Sequence, residues 1–230
     1  NTVSSSPFTF TFDTVAPSLS SITVNGANLV IQYTETGSGL STTAPATSDF
    51  IVSVNGDTVD YAPTAVSMTS NSVTLSLTQA VADTDIITIT YTQGTNQLWD
   101  VAGNLAANLT SAAVTNQTKP LAVTPSLLTD SGLSSSDLYT NTSTIFVPDL
   151  ESGAYLKYSV DGGTTWSSLS AGVNVFSPNF GIDGAKKISV YQVNSNNVSG
   201  PISVLSFTLD INAPSAPTVA LSSDTGLSNS

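Results

Sequence analysis

Apolar and polar residues alternate along this chain in short runs, with turn residues between the runs. A period of two is the mark of half-buried β-strands, whose successive side chains point to opposite faces. The pattern predicts strands at Ser20–Val24, Asn28–Tyr33, Phe50–Val54, Ala65–Thr69, Ser72–Leu77 and Asp85–Tyr91, and one more within Ala107–Thr115. A second series follows at Thr144–Val147, Tyr155–Val160, Thr165–Ser168, Gly172–Phe176, Lys186–Val193 and Ile202–Leu209. Asn25-Gly26 and Asn55-Gly56 read as hairpin turns, because Asn and Gly accept the positive φ of tight primed turns. Asp161-Gly162-Gly163 is a further turn. No stretch carries a helical period. Seven or so short strands per hundred residues point to an all-β chain of tandem Ig-like antiparallel β-sandwiches.

A repeated phrase divides the series. Phe10-Thr-Phe-Asp-Thr-Val-Ala-Pro-Ser18 returns as Phe207-Thr-Leu-Asp-Ile-Asn-Ala-Pro-Ser215, and two units of about 98 residues fit between the copies. A β-type run, an Asp and Ala-Pro-Ser read as a last strand, a stop and a stiff start to the next unit. Residues 1–17 are then the end of a preceding repeat with its linker. Residues 18–118 and 119–212 are two whole sandwiches, and 213–230 open a third, truncated repeat. Asp224-Thr-Gly-Leu-Ser228 echoes Asp130-Ser-Gly-Leu-Ser134 at the matching repeat position.

Composition narrows the function classes. Charged residues are only 9% of the chain, and Ser and Thr supply the polarity instead. The net charge is -12, from sixteen acids against four Lys/Arg, with no histidine. Nucleic-acid binding is excluded by the lack of a basic surface, whereas an acidic chain can take up cations. There is no cysteine, so neither disulfides nor thiol chemistry. No run is long and apolar enough for a membrane span, and Asn1–Ser6 do not have the form of a signal peptide. An export signal, if there is one, is expected outside this segment. Without His or Cys there is no Ser-His triad, Cys nucleophile or ordinary zinc site, and no phosphate-cradling Gly-rich loop occurs.

Ser48-Asp-Phe-Ile-Val-Ser-Val-Asn-Gly56, Ser72–Leu77, Ile87-Thr-Ile-Thr-Tyr91 and Leu98-Trp-Asp-Val-Ala-Gly-Asn104 resemble the SWM repeat, common in giant bacterial adhesins. The second unit resembles the Ig-like repeats of RTX-type and biofilm-associated adhesins. It does so through Thr129–Asp137, Tyr139-Thr-Asn141, Asp161-Gly-Gly-Thr-Thr-Trp166 and the Asp210–Ser215 linker. These resemblances imply an extracellular, bacterial cell-surface stalk of many repeats, with structural calcium (Ca2+) in loops and at junctions. The junction between the two whole units departs from the pattern. It reads Thr115-Asn-Gln-Thr-Lys-Pro120, without the Asp-x-x-Ala-Pro of its neighbours, and is expected to hinge more freely.

Strand alternation says which acids can share an ion. Hard cations take six to eight oxygens, many of them from carboxylates. Asp13, Glu35, Asp100 and Asn104 fall at one end of the first unit and form a candidate calcium site; the plainer reading is that Asp100 and Asn104 cap a turn. Asp83 and Asp85 fall at the opposite end and read as turn residues. In the second unit Asp130 and Asp137 bracket a Ser/Gly loop, and Asn141 and Asp183 reach the same end, where a solvated loop is the alternative to an ion. Asp210 and Asp224 repeat the linker logic. Asp130-Ser131-Gly132 and Asp224-Thr225-Gly226 also spell an aspartic-protease signature, but successive sandwiches do not fold both triplets into one cleft.

Two functions remain. One is a non-enzymatic extender that projects a distal binding domain for adhesion or biofilm, with neighbouring repeats as partners and glycans or proteins bound by other domains. The other is a ligand- or carbohydrate-binding module acting through Trp99, Trp166, Tyr139, Tyr155 or the Glu35–Ser48 loop. Those aromatics also suit core positions.

Overall fold

The structure, a computed structural model, describes residues 12–220 together with 222, 223 and 226. Phe10 and Thr11 of the first phrase, and Asp224 of the truncated repeat, lie outside the described residues. Among the described residues the chain is all-β, with one 3₁₀ turn at Thr47–Asp49 and no α-helix. The first seven strands are β1 (Ser18–Asn25), β2 (Asn28–Thr34), β3 (Phe50–Val54), β4 (Pro63–Met68), β5 (Ser72–Leu77), β6 (Ile87–Tyr91) and β7 (Leu109–Asn116). They join in the order β3-β6-β7-β1-β2-β5-β4.

The period-two pattern sets which face is buried. Leu29, Ile31 and Tyr33 of β2 point inward, as do Phe50, Val52 and Val54 of β3 and Ile87, Ile89 and Tyr91 of β6. These side chains share one core with Val73, Leu75 and Leu77 of β5, although β3 and β5 stand far apart in the strand order. The sheet therefore folds over onto itself as two facing layers. Strand β7 makes the crossing, since its start pairs antiparallel with β6 while Thr115 and Asn116 pair parallel with β1. Two β7 residues, Thr110 and Ser111, lie opposite the single Thr90, and Ser111 takes φ +43 as the extra residue of a bulge.

The remaining strands are β8 (Ser126–Leu127), β9 (Tyr139–Thr140), β10 (Ile145–Phe146), β11 (Tyr155–Ser159), β12 (Ser167–Ser168), β13 (Val175–Phe176), β14 (Gly184–Val193) and β15 (Ser203–Leu209). They form a three-stranded sheet, β13-β10-β8, and a five-stranded sheet, β12-β11-β14-β15-β9. Ile145, Leu156, Phe176, Ile188, Val190, Phe207 and Leu209 make a second core that shares no residue with the first. Each such aliphatic side chain contributes about 1.5–3 kcal/mol on burial.

Strands with three or more alternations stand close to their expected limits. In the second series the short strands are cut back, with Gly172–Phe176 shrinking to Val175–Phe176, whereas Lys186–Val193 lengthens to Gly184–Val193; β8 and β9 carry only two residues each. Asn55 and Gly56 take φ +51 and +92 in the expected tight turn, closed by paired bonds between Val54 and Asp57. The β1–β2 turn sits one residue later than expected, on Gly26-Ala27, because Asn25 pairs with Asn28. Residues 211–220 are exposed and carry no strand.

The Asn116–Pro120 link is held rather than free. The Asn116 side-chain amide donates to the carbonyls of Ala82, Asp83 and Asp85, and the Thr118 hydroxyl accepts from the Gly26 N–H. From the second core, Asn194 donates to the Asp83 carboxylate at 2.9 Å and Asn196 to the Asp83 carbonyl at 3.2 Å.

Candidate metal centre

Three carboxylates meet at the start of the first core. Asp13 comes from the segment ahead of β1, Glu35 from the residue after β2, and Asp100 from the loop before β7. One carboxylate oxygen from each lies within 4.8 Å of the others. Among the described residues no other group of three acids converges so closely.

Backbone geometry aims each side chain. Asp13 Oδ2 accepts from both the N–H and the hydroxyl of Ser38, at 3.2 and 3.0 Å, and Oδ1 accepts from the Val15 N–H. Glu35 Oε1 accepts from the Gly37 N–H, while Glu35 Oε2 is buried and has no hydrogen-bond partner. Asp100 is 1% exposed; its two oxygens accept the backbone N–H and side-chain amide of Asn104, both at 2.8 Å. Burial would raise the Asp100 carboxyl, but the Asn104, Gly103 and Ala102 donors prevail and hold it below the ordinary range. The turn-capping role of Asp100 and the convergence of acids therefore coexist. Asn104 stands as a donor here, and its amide also reaches the Asp13 carbonyl at 3.2 Å, tying the leading segment to the loop.

The donor set suits a hard cation. Ligands on opposite sides of a calcium ion, each about 2.4 Å away, lie about 4.8 Å apart. Three carboxylates that close repel unless a cation or proton intervenes. Among the described residues no lysine pairs with any of the three; all four lysines lie beyond residue 118. The partnerless Glu35 oxygen is what an absent ligand would explain.

The acids of the second unit are spread wider. Asp130 Oδ2 accepts from the Leu138 N–H, and its Oδ1 is buried without a partner. Asp137, Asn141 and Asp210 line one open cavity with Ser131 and Tyr139. Asp183 does not join them there. Its carboxylate takes the Ile211 N–H and the Asn212 amide, and these hold it below its ordinary pKa. Asp183 thus pins the chain just behind Asp210.

Sequence reasoning missed Gly37 and Ser38. The signal was the Thr-Gly-Ser-Gly run directly after Glu35, which offers small residues and backbone donors. Asp85 behaves as an ordinary turn acid, accepting from Ala82 N–H and the Asn55 amide. Trp166 packs edgewise on Tyr191 of β14 at 4.8 Å and donates to the Gly163 carbonyl, so it ties its turn to the neighbouring strand. The Glu35–Ser48 loop, the candidate binding surface of the alternative reading, is anchored by buried Leu40, whose N–H donates to the Ser70 carbonyl, and by the Ser41 N–H, which donates to the Trp99 carbonyl.

Residues 12–96 match the SWM repeat family, described as a flagellar system-associated repeat. No curated protein matches the chain. Among solved structures, the N-terminal part of the bacterial S-layer protein SbsC is 14% identical, with a TM-score of 0.37 over 85% of this chain. Domains 1–6 of the surface layer protein SbsC are 13% identical, with a TM-score of 0.38 over 85% of this chain. A cytokine receptor complex is 10% identical, with a TM-score of 0.40 over 84% of this chain and 97% of its own. The chain spans 44% and 26% of the two S-layer structures. These structural likenesses are too remote to bear on function.

Proposed function

We propose that the chain is a non-enzymatic extender segment of a large bacterial surface adhesin, built from tandem Ig-like sandwiches and stiffened by structural calcium. The observation that carries the reading is the meeting of Asp13, Glu35 and Asp100 with no cationic side chain beside them. Asp13 belongs to the segment that leads into the first core, whereas Glu35 and Asp100 belong to that core. An ion held by all three would fix the angle at which the preceding segment enters. The SWM-repeat match and the twice-written Asp-x-x-Ala-Pro-Ser phrase support the repeat reading.

The mechanism is mechanical. Each sandwich extends the string by about 40 Å at roughly 3.4 Å per strand residue with its linker. Calcium binding to the folded chain alone adds stability and makes melting depend on calcium. Open loop sites of this kind bind at about 10⁻⁴–10⁻³ M. Asp137, Asn141 and Asp210 are the candidate ligands at the far end, with Asp130 beside them. Calorimetric titration with calcium, paired with thermal melts in millimolar calcium and in chelator, tests the reading. Identical melting midpoints with no binding heat would sink it. Saturable binding of the fragment on a glycan array would favour a ligand-binding module instead.

A further inference from the structure

The link between the two cores is gripped by side-chain amides from both sides. On the first side, buried Asn116 donates to the carbonyls of Ala82, Asp83 and Asp85, and its own oxygen accepts the Thr118 N–H. The Gln117 N–H donates to the Val24 carbonyl, and the Thr118 hydroxyl accepts from Gly26. On the second side, buried Gln192 donates to the Leu121 carbonyl at 3.0 Å. Pro120 is buried between them, and its ring fixes φ. Residues 116, 117, 118, 120 and 121 are thus each held by a bond or a ring.

Asn194 joins the two sides directly. It follows β14, opens the turn to β15 and is only 3% exposed. Its amide oxygen accepts the N–H groups of Asn196 and Val198 within that turn, at 3.1 and 2.9 Å. Its amide nitrogen crosses to the first unit, donating to Asp83 Oδ2 at 2.9 Å and, over a longer 3.5 Å, to the Thr118 carbonyl. Asn196 adds a bond to the Asp83 carbonyl at 3.2 Å. Asp83, between β5 and β6, is itself buried. Gly200, at the far end of the turn, lets it sit tight on the link. Any side chain there would press on the Pro120 ring and on the Pro120 and Leu121 carbonyls.

Apolar contacts are non-directional and can slide, whereas a hydrogen bond weakens steeply as it is misaligned. A buried amide with its donors and acceptor engaged selects one orientation, because any other strands polar groups away from water. Its bond to a carboxylate is of the stronger, charge-assisted kind. We propose that Asn194 is an amide clamp that locks the two cores into one rigid block with no ion at the joint. The unit of stiffness along the chain is then a pair of sandwiches rather than a single one. The clamp goes beyond the calcium reading of the Asp13 site and stands or falls independently of it.

The test uses the whole chain at neutral pH. Its lack of cysteine allows dyes at Ser67→Cys, an exposed position of β4, and Ser168→Cys, an exposed position of β12. Single-molecule energy transfer should give one narrow peak, equally wide in chelator and in calcium. Asn194→Asp keeps both acceptor bonds of its own turn but sets a carboxylate against Asp83, so the peak should broaden. Adding Asp83→Asn restores the bond with donor and acceptor exchanged, and should return the wild-type peak. The clamp is overturned if the wild-type peak broadens in chelator or if Asn194→Asp leaves it unchanged. It is overturned equally if the folded double variant fails to recover it. Amide nitrogen relaxation of the wild-type chain in chelator decides the matter even if the variants misfold. One tumbling time shared by β1–β7 and β8–β15 supports the clamp, and two separate times sink it.

Discussion

A Cβ on Gly37 would collide with Asp13 Oδ2, so the Asp13 carboxylate occupies the space that any other residue's side chain would need. That close approach lets Oδ2 take both donors of Ser38 while Glu35, two residues before Gly37, keeps a free oxygen. Gly37→Ala should therefore expel Asp13 without touching the core. The expected result is calcium affinity weakened about tenfold or more, roughly the 1.4 kcal/mol cost of one mispositioned ligand. The chelator-treated melt should stay within about 0.5 kcal/mol of wild type, as for surface changes. Calcium titration of the variant checks both.

Glu35→Gln removes a charge while keeping shape. If Glu35 Oε2 faces an ion, the variant loses most of its calcium-dependent rise in melting temperature. In chelator it should melt at or above wild type, because the three-way repulsion is relieved. Paired calorimetric scans with and without calcium read both signs.

Tyr91 is fully buried, stacks on Phe50 at 4.9 Å and accepts the Leu98 N–H on its hydroxyl at 2.8 Å. Tyr91→Phe strands that buried N–H and should cost about 1–3 kcal/mol. Leu98 opens the Trp99-Asp100 loop, so calcium affinity should fall as well. Denaturant unfolding and calcium titration of the same sample measure the two effects.

Acid should unfold the chain through depressed carboxyls. Asp161 is held below its ordinary range by the Thr165 hydroxyl and N–H and then by Ser159, and Asp183 by the Ile211 N–H and then Asn212. Groups with lowered folded pKa values stabilise fully above their unfolded value of 3.8, and that stability is lost as pH falls through the folded values. Melting should vary little between about pH 7 and about pH 4.5 and drop below that. Asp161→Asn should narrow the gap between midpoints at about pH 7 and about pH 3.

The two cores share no residue, so their packing defects should stay separate. Leu75→Ala and Leu156→Ala each truncate a side chain with no exposure, at an expected cost of about 2–5 kcal/mol. Hydrogen exchange should show the loss of protection confined to β1–β7 in the first and to β8–β15 in the second.

How much could be read in advance depends on the range of the interaction. Ser72–Leu77 and Phe50–Val54 were legible to the residue because three buried alternations leave one face to bury and one register of inward residues. Gly172–Phe176 lost its first three residues, and the two-residue strands β8 and β9 carry no period at all. β9 exists only because β15 pairs with it in parallel from about 70 residues away.

The same division runs through the sites. By itself the sequence determined the all-β class, most strands of the first series, the Asn55-Gly56 turn, and the placing of Asp13, Glu35 and Asp100 at one end. Each of these follows from strand alternation and turn chemistry, which act between neighbours. Only the tertiary structure decided that Glu35 keeps a bare oxygen while Asn104 donates, that Asp183 ties down the chain after Asp210, and that Asp83 meets Asn194. A contact across 111 residues depends on how two independently packed cores settle against each other, and no local pattern encodes that. For that reason the Asn116–Pro120 link, which read as a hinge, is crossed by the Asn194 and Asn196 bonds to Asp83.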